Sequence, residues 1–331
     1  MSVITEHLNK ISVGEAQVRH NLCMYPLLME SETEPAYKLL DEALAQKCAR
    51  VTEVSESGSV PELKFTNDCD RPVLLMDGEE LVGAKQNRIL NLTVLAPPGK
   101  TINIPVSCVE AGRWHARSAE FSVAGRAHFS RGRASKTEQV SESLRSRGTR
   151  HSAQSRVWDE ISAKSARMDV DSSTSAAEAM YDANRASLDD YLGGFTAQEH
   201  QVGALFAING EAVGFDLFDA VSTMEKQLPK LVQSFALDAI DESRQQPKEP
   251  GQEAAKSLLQ AAGEADIERF PAVGEGDDLR IQGQGITGGG LLHNDRLVHL
   301  CVFRIMGQRS GSGNSDNRIT RASNRRRHWI H

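Results

Sequence analysis

The stretch LLMDGEELVGAKQNR (residues 74–88) sets Glu79, Glu80, Lys85, Gln86, Asn87 and Arg88 behind an apolar run and an Asp-Gly turn. Further on, SCVEAGRW (107–114) adds Cys108, Glu110, Arg113 and Trp114. Arginine offers a planar fork matched to phosphate or carboxylate, and lysine adds a point charge. An indole can stack on a base or a sugar face. If the strands carrying the two stretches pair, Lys85, Arg88 and Arg113 with Glu80 and Glu110 make a mixed-charge pocket. Glu80, Glu110 and Cys108 are then the candidate catalytic residues, the glutamates as bases and the cysteine in an undefined role. Glu79, Lys85, Gln86, Asn87, Arg88, Arg113 and Trp114 are the candidate ligand-binding residues. The competing reading makes the same side chains a solvated hairpin edge or a set of loop locks.

Other motifs carry less. CVEAGR (108–113) follows an apolar strand and places Arg113 after Cys108, but it is one residue shorter than the loop of cysteine phosphatases, and no helix pattern follows to lower the thiol pKa. GQGITG (283–288) fits G-x-G-x-x-G, yet a hairpin pattern follows where a dinucleotide site needs a helix, so it reads as a glycine turn. His115, His128, His293 and His299 stand in no metal-ligand spacing, and no metal or cofactor is expected.

The elements that must position these residues read as follows. HNLCMYPLLM (20–29) is a first strand, and a short helix is expected around residues 36–47. ELKFTND, two strands around Asp77-Gly78, and two more around Pro97-Pro98-Gly99 make a strand-rich stretch to Cys108. Alternation puts Glu80 and Val82 on the face opposite Glu79 and Leu81, and AKQNR breaks it as a loop or bulge. Residues 130–195 read as mostly helical, with one helix marked by Val157, Trp158, Ile161 and Met168 and another stopped at Gly193-Gly194. Residues 131–152 within them have the composition of a mobile basic connector. Asn209-Gly210 and Asn294-Asp295 mark later hairpins, and an amphipathic helix whose Pro229 belongs near its start should lie on a sheet face. VLLMDGEELVGA, GALFAINGEAVGFDLF and GGLLHNDRLVHLCVF share a strand–turn–strand form, which points to three related hairpins. The expected fold is α+β: an antiparallel, strand-rich core, sandwich-like or a curled sheet, built from hairpins, with a helical insertion. Residues 1–306 are expected to form one domain and 307–331 a disordered, solubilising basic tail.

Composition bounds the class. The chain has 331 residues, 39% of them hydrophobic and 25% charged, and a net charge of −7. That suits a soluble protein and argues against nucleic acid as a partner, although nine Arg and one Lys face three Glu between Arg113 and Arg156. No apolar run reaches the roughly 18 residues of a membrane span, and the N-terminus lacks a signal-peptide layout. Cys23, Cys48, Cys69, Cys108 and Cys301 are scattered and odd in number, which argues against a disulfide scaffold and fits the cytoplasm.

PVLLMDGEELVGAKQNRILNLTVLAPPGKTINIPVSCVEAGRW resembles the ARPP-1 family, the ARG and Rhodanese-Phosphatase-superfamily-associated Protein domain, in its DGEEL-x-GAKQNR and IPVSCVE-x-GRW segments. QSRVWDEI, QVGALFAINGEAVGFDLFD, SFALDAI and GGLLHNDRLVHLCVF extend the likeness over residues 10–306. The family brings no established activity. Its name records association with ADP-ribosylglycohydrolases and phosphatases, which implies binding or processing of a phosphorylated, nucleotide-derived metabolite such as ADP-ribose. The alternative it implies is a non-enzymatic adaptor that recruits protein partners. Trp158 and Asp216 match the family segments as well.

Overall fold

The computed structural model describes residues 3–30, 34–55, 57–243 and 251–305, an α+β protein of antiparallel sheets in which helices cover both faces of the largest sheet. The chain begins α1 (Val3–Leu8), β1 (Ser12–Val13), β2 (Gln17–Arg19), β3 (Leu22–Leu28), β4 (Lys38–Leu39), α2 (Leu40–Ala45). Next come β5 (Ala49–Glu53), β6 (Glu62–Asn67), β7 (Val73–Leu75), β8 (Glu79–Gly83), β9 (Arg88–Leu90), β10 (Val94–Ala96), β11 (Lys100–Cys108) and β12 (Phe121–Ala127). Four helices follow: α3 (Ser130–Arg147), α4 (Gln154–Arg167), α5 (Glu178–Ala183) and α6 (Arg185–Leu192). The remainder is β13 (Gln201–Ile208), β14 (Glu211–Phe218), α7 (Val221–Asp241), α8 (Gln252–Gly263), β15 (Asp266–Pro271), β16 (Asp277–Gly283), β17 (Ile286–His293) and β18 (Arg296–Arg304).

Three sheets result. The largest runs β1-β3-β13-β14-β18-β17-β16-β15, with β2 beside β1 on β3. Its central strands are buried on both sides: Ala204 and Phe206 of β13 face α7, while Leu205 and Ala207 face α1 and α8. β11-β6-β5-β12-β8-β9 closes into a barrel, and β10-β7-β4 forms a small third sheet.

Several expectations change. The hairpins at Asn209-Gly210 and Asn294-Asp295 form, with positive φ at all four turn residues, and they adjoin through β14 and β18. The first of the three similar segments is not a hairpin, because β7 pairs with β10 and β4 while β8 belongs to the barrel. Pro97-Pro98-Gly99 likewise leads from the small sheet into the barrel. Gly283–Gly285 does turn β16 into β17. α7 begins at Val221, so Pro229 lies inside it; Glu225, whose carbonyl loses its partner, is exposed, and water can satisfy it. Cys48 and Cys69 are joined in a disulfide, and Cys23, Cys108 and Cys301 are free and buried. The basic tail 307–331 lies outside the described residues. No helix among the described residues is long and apolar enough to cross a membrane.

The largest correction concerns the expected basic connector: it is α3, a polar helix wedged between barrel and sheet, with Arg133 and Lys136 fully buried. Arg133 donates through Nη1 and Nη2 to both oxygens of Asp216 on β14 (3.1 and 2.6 Å) and through Nε to Asp77 (3.1 Å). Lys136 Nζ donates to the other Asp77 oxygen and to the carbonyls of Leu90 (2.9 Å) and Asn91 (3.2 Å). The Asp77 N–H donates to Thr93, Thr93 Oγ1 shares a hydrogen bond with His299 Nδ1 (2.7 Å), and His299 Nε2 donates to Asp216 (3.2 Å). Burial alone would raise the Asp77 and Asp216 carboxyls, but Lys136 and Arg133 hold Asp77, and Arg133 and His299 hold Asp216, below their ordinary range. Phe129 at the start of α3 cannot cap it. Asp238 of α7 does so from outside, accepting the Ser130 hydroxyl (2.6 Å) and the Arg131 N–H (3.0 Å), and pairs with Lys164 of α4 (2.8 Å).

Removing Arg133 leaves two buried carboxylates short of their counter-charge, so Arg133→Met should cost about 3–5 kcal/mol in urea unfolding. A loss below about 1 kcal/mol, the scale of an exposed pair, would deny α3 this role. His128, fully buried against Phe129, has its pKa lowered to about 3 by burial and then by Lys136. The unfolded chain takes up a proton at about 6.5 that the folded chain refuses, so stability should fall as pH drops from there towards 3. His128→Phe should flatten the urea midpoint between pH 6 and 4; an unchanged slope would remove His128 as the cause.

Candidate functional site

Barrel closure brings distant residues to one rim. Arg88 pairs with Leu81 and Cys108, and Phe121 pairs with Gly83 and Val51. Val51, Leu81, Leu90, Val106 and Phe121 fill the interior. By the two-residue alternation of strands, Arg88, Cys108 and Glu53 share that inward face and end its apolar file. Glu80 pairs with Ile89, which packs outward against the helices, so the barrel wall separates Glu80 from Arg88. Glu80 receives both ends of the Arg126 fork (2.7 and 3.1 Å). Its pKa is raised, by burial first, despite Arg126. Glu79 is equally remote from the rim: it binds the Met76 N–H (2.9 Å) and Lys230 of α7.

The loop 84–87 is a set of locks. Gly83 and Ala84 have φ of 130° and 34°, which turns the backbone sharply after β8. Arg113 Nη1 donates to the Ala84 carbonyl (2.6 Å) and to that of His115 (3.1 Å), and Nη2 donates to Asn87 Oδ1 (3.1 Å) and Glu110 Oε2 (2.6 Å). Glu110 also accepts the Asn87 N–H (3.1 Å). Burial would raise its carboxyl, but Arg113, this N–H and Thr174 hold it below the ordinary range. Gln86 donates to the Glu110 carbonyl (2.8 Å), and Asn87 donates to Glu178 (3.1 Å). Glu110, Arg113, Gln86 and Asn87 thus brace one another, although Arg113 Nε has no acceptor among the described residues.

Cys108 and Arg88 face the same amide oxygen. The thiol and Arg88 Nη1 both donate to Gln86 Oε1 at 3.1 Å. Burial raises the Cys108 pKa, although Arg88, the Glu110 N–H and Trp158 favour the thiolate, and burial of this kind works against activation of the thiol. Arg88 differs from its buried counterparts. Arg113, Arg126, Arg133, Lys136, Lys164, Lys230 and Arg280 each pair with a buried carboxylate. Arg88 is 0% exposed, has no ion pair among the described residues, and its Nε and Nη2 find no acceptor there. Burial draws its pKa down. Trp114, 48% exposed, lies over it with the ring centre 5.8 Å from the guanidinium and 5.4 Å from Lys85 Nζ.

The structure therefore brings Arg88, Lys85, Trp114 and Cys108 together, uses Gln86, Asn87, Glu110 and Arg113 to brace them, and leaves Glu79 and Glu80 elsewhere. Glu53 at the end of β5 joins the rim unforeseen, although its alternation with Val51 was readable. Among the described residues no cluster of His, Cys, Asp or Glu could hold a metal ion.

Residues 10–303 match the family model described as the ARG and Rhodanese-Phosphatase-superfamily-associated Protein domain, and the chain belongs to that family, ARPP-1. No curated protein and no solved structure matches the chain.

The two arginines should answer substitution differently. Arg113→Met strands a buried Glu110 carboxylate and should cost about 3–5 kcal/mol, whereas Arg88→Met deletes a desolvated cation with no carboxylate and should stay within about 1 kcal/mol of wild type or gain stability. Equal losses in urea unfolding would place Arg88 with the braces.

Proposed function

We propose that this ARPP-1 chain binds a phosphorylated, nucleotide-derived metabolite of the ADP-ribose kind at the barrel rim. One observation carries the reading: Arg88 is the buried cation whose counter-charge the described residues do not supply. An anion there would convert an expensive desolvated charge into a charge-assisted, two-pronged contact. Trp114 then serves as a cover that swings aside and stacks on the base or sugar, with Lys85 as a second positive charge. Cys108 is assigned to hold Gln86 and, through it, the Arg88 fork. Glu110, read from sequence as a candidate base, acts here as a brace for the loop. The family description, which associates this domain with ARG and with the rhodanese-phosphatase superfamily, agrees with such a ligand but is an association.

The test is a thermal-shift screen of wild type and Arg88→Met against ADP-ribose, NAD, nucleoside phosphates and sugar phosphates. A ligand at a hundred times its dissociation constant adds about 2.7 kcal/mol, enough to raise Tm by several degrees. The expected result is a shift in wild type that a folded Arg88→Met protein lacks. No shift across the panel would overturn the reading and favour a non-enzymatic adaptor.

A further inference from the structure

We propose that Glu53 is a second ligand contact at this rim and that it selects a sugar phosphate by its vicinal hydroxyls; this rests on the anion reading of Arg88. Glu53 Oε1 accepts the Lys85 N–H at 3.3 Å, while Oε2 is buried and has no hydrogen-bond donor among the described residues. A carboxylate oxygen shut away from water without a donor is as unusual as an arginine without an acceptor. The two lie at one rim, and the Glu53 charge acts on Arg88, yet they form no ion pair. Gly58 packs closely against the same groups. A Cβ at this position (φ +78°) would stand 3.3 Å from Glu53 Oε2, 3.2 Å from Lys85 Cδ and 3.4 Å from Trp114 Cζ2. Gly58 thus brings the chain into close contact with Glu53, Lys85 and Trp114 at once, which gathers the three side chains at the rim.

The unsatisfied groups are complementary in kind. Arg88 lacks an acceptor and Glu53 lacks a donor, so the molecule that completes both carries an anion at one end and O–H or N–H groups at the other. The indole edge between them suits the C–H face of a sugar ring. A vicinal diol gives a carboxylate two donors in the geometry it accepts, and the phosphate meets the Arg88 fork. A free amino acid has the same polarity, its carboxylate for Arg88 and its ammonium for Glu53, but offers the indole no ring to stack on.

Isothermal titration of the full chain separates these cases, with ribose 5-phosphate, 2-deoxyribose 5-phosphate, inorganic phosphate and glutamate as probes. Wild type should bind ribose 5-phosphate about tenfold tighter than the deoxy sugar, the equivalent of one hydrogen bond to a charged group. Glu53→Gln keeps the shape and an acceptor for the Lys85 N–H; it should abolish that preference while leaving the deoxy affinity within about threefold. Arg88→Met should lose both sugars. Equal binding of the two sugars by wild type, or an unchanged preference in Glu53→Gln, overturns the role of Glu53 and leaves the anion reading standing. Failure of wild type to bind any phosphate overturns that reading itself, and binding of glutamate in place of sugar phosphate overturns the ligand class.

Discussion

The guanidinium of Arg133, held between Asp77 and Asp216, is the contact on which barrel, sheet and helices all depend. One oxygen pair belongs to β14 in the middle of the large sheet, the other to the crossing that leads into the barrel, and the cation comes from a helix between them. With Lys136 the charges balance, two positive against two negative. Such a cluster contributes little net stability relative to a well-packed apolar substitute, because desolvation offsets most of the attraction. Its effect is geometric. A helix made largely of Ser, Arg, Gln and Glu has no wide apolar stripe to bury, so ionic contacts fix its rotation and its height.

The frame and the rim are mechanically joined. Lys136 holds the Leu90 and Asn91 carbonyls, which end the strand carrying Arg88, and Asn91 in turn accepts from Ser107 next to Cys108 (2.6 Å). On the outer wall Arg126 ties Glu80 and reaches Glu178, which holds Asn87. The strand and loop that carry the rim arginine are therefore held from both sides, with its Nε and Nη2 left without acceptors among the described residues. Under the proposed binding role, such preorganisation reduces what must be ordered when a ligand is taken up.

Much of this was legible, for reasons that differ from one element to the next. Local turn chemistry disclosed the hairpins at Asn209-Gly210 and Asn294-Asp295, because positive φ is a property of the two residues themselves. Strand alternation already separated Glu80 from Glu79. The length and rarity of the family segments identified the ARPP-1 membership. What stayed hidden was long-range. Arg133 and Asp216 are 83 residues apart, and a helix whose buried face is ionic looks, by composition, like a solvated connector. AKQNR looked uniform as four polar side chains. Its division into braces (Gln86 and Asn87) and a rim pair (Lys85 and Arg88) depends on a barrel whose strands pair across distant sequence.

The closed barrel has no free strand edge, but the large sheet has two, and one is β15, paired only with β16. An open edge is a template on which another chain can add a strand. Along its six residues β15 carries Asp266, Glu268, Arg269 and Pro271, with Pro271 unable to donate and both Asp266 and Arg269 exposed. On the opposite side, β1 and β2 are two and three residues long, too short to seed a ladder. The sheet thus meets the hazard of strand addition with charge and proline at one border and with brevity at the other.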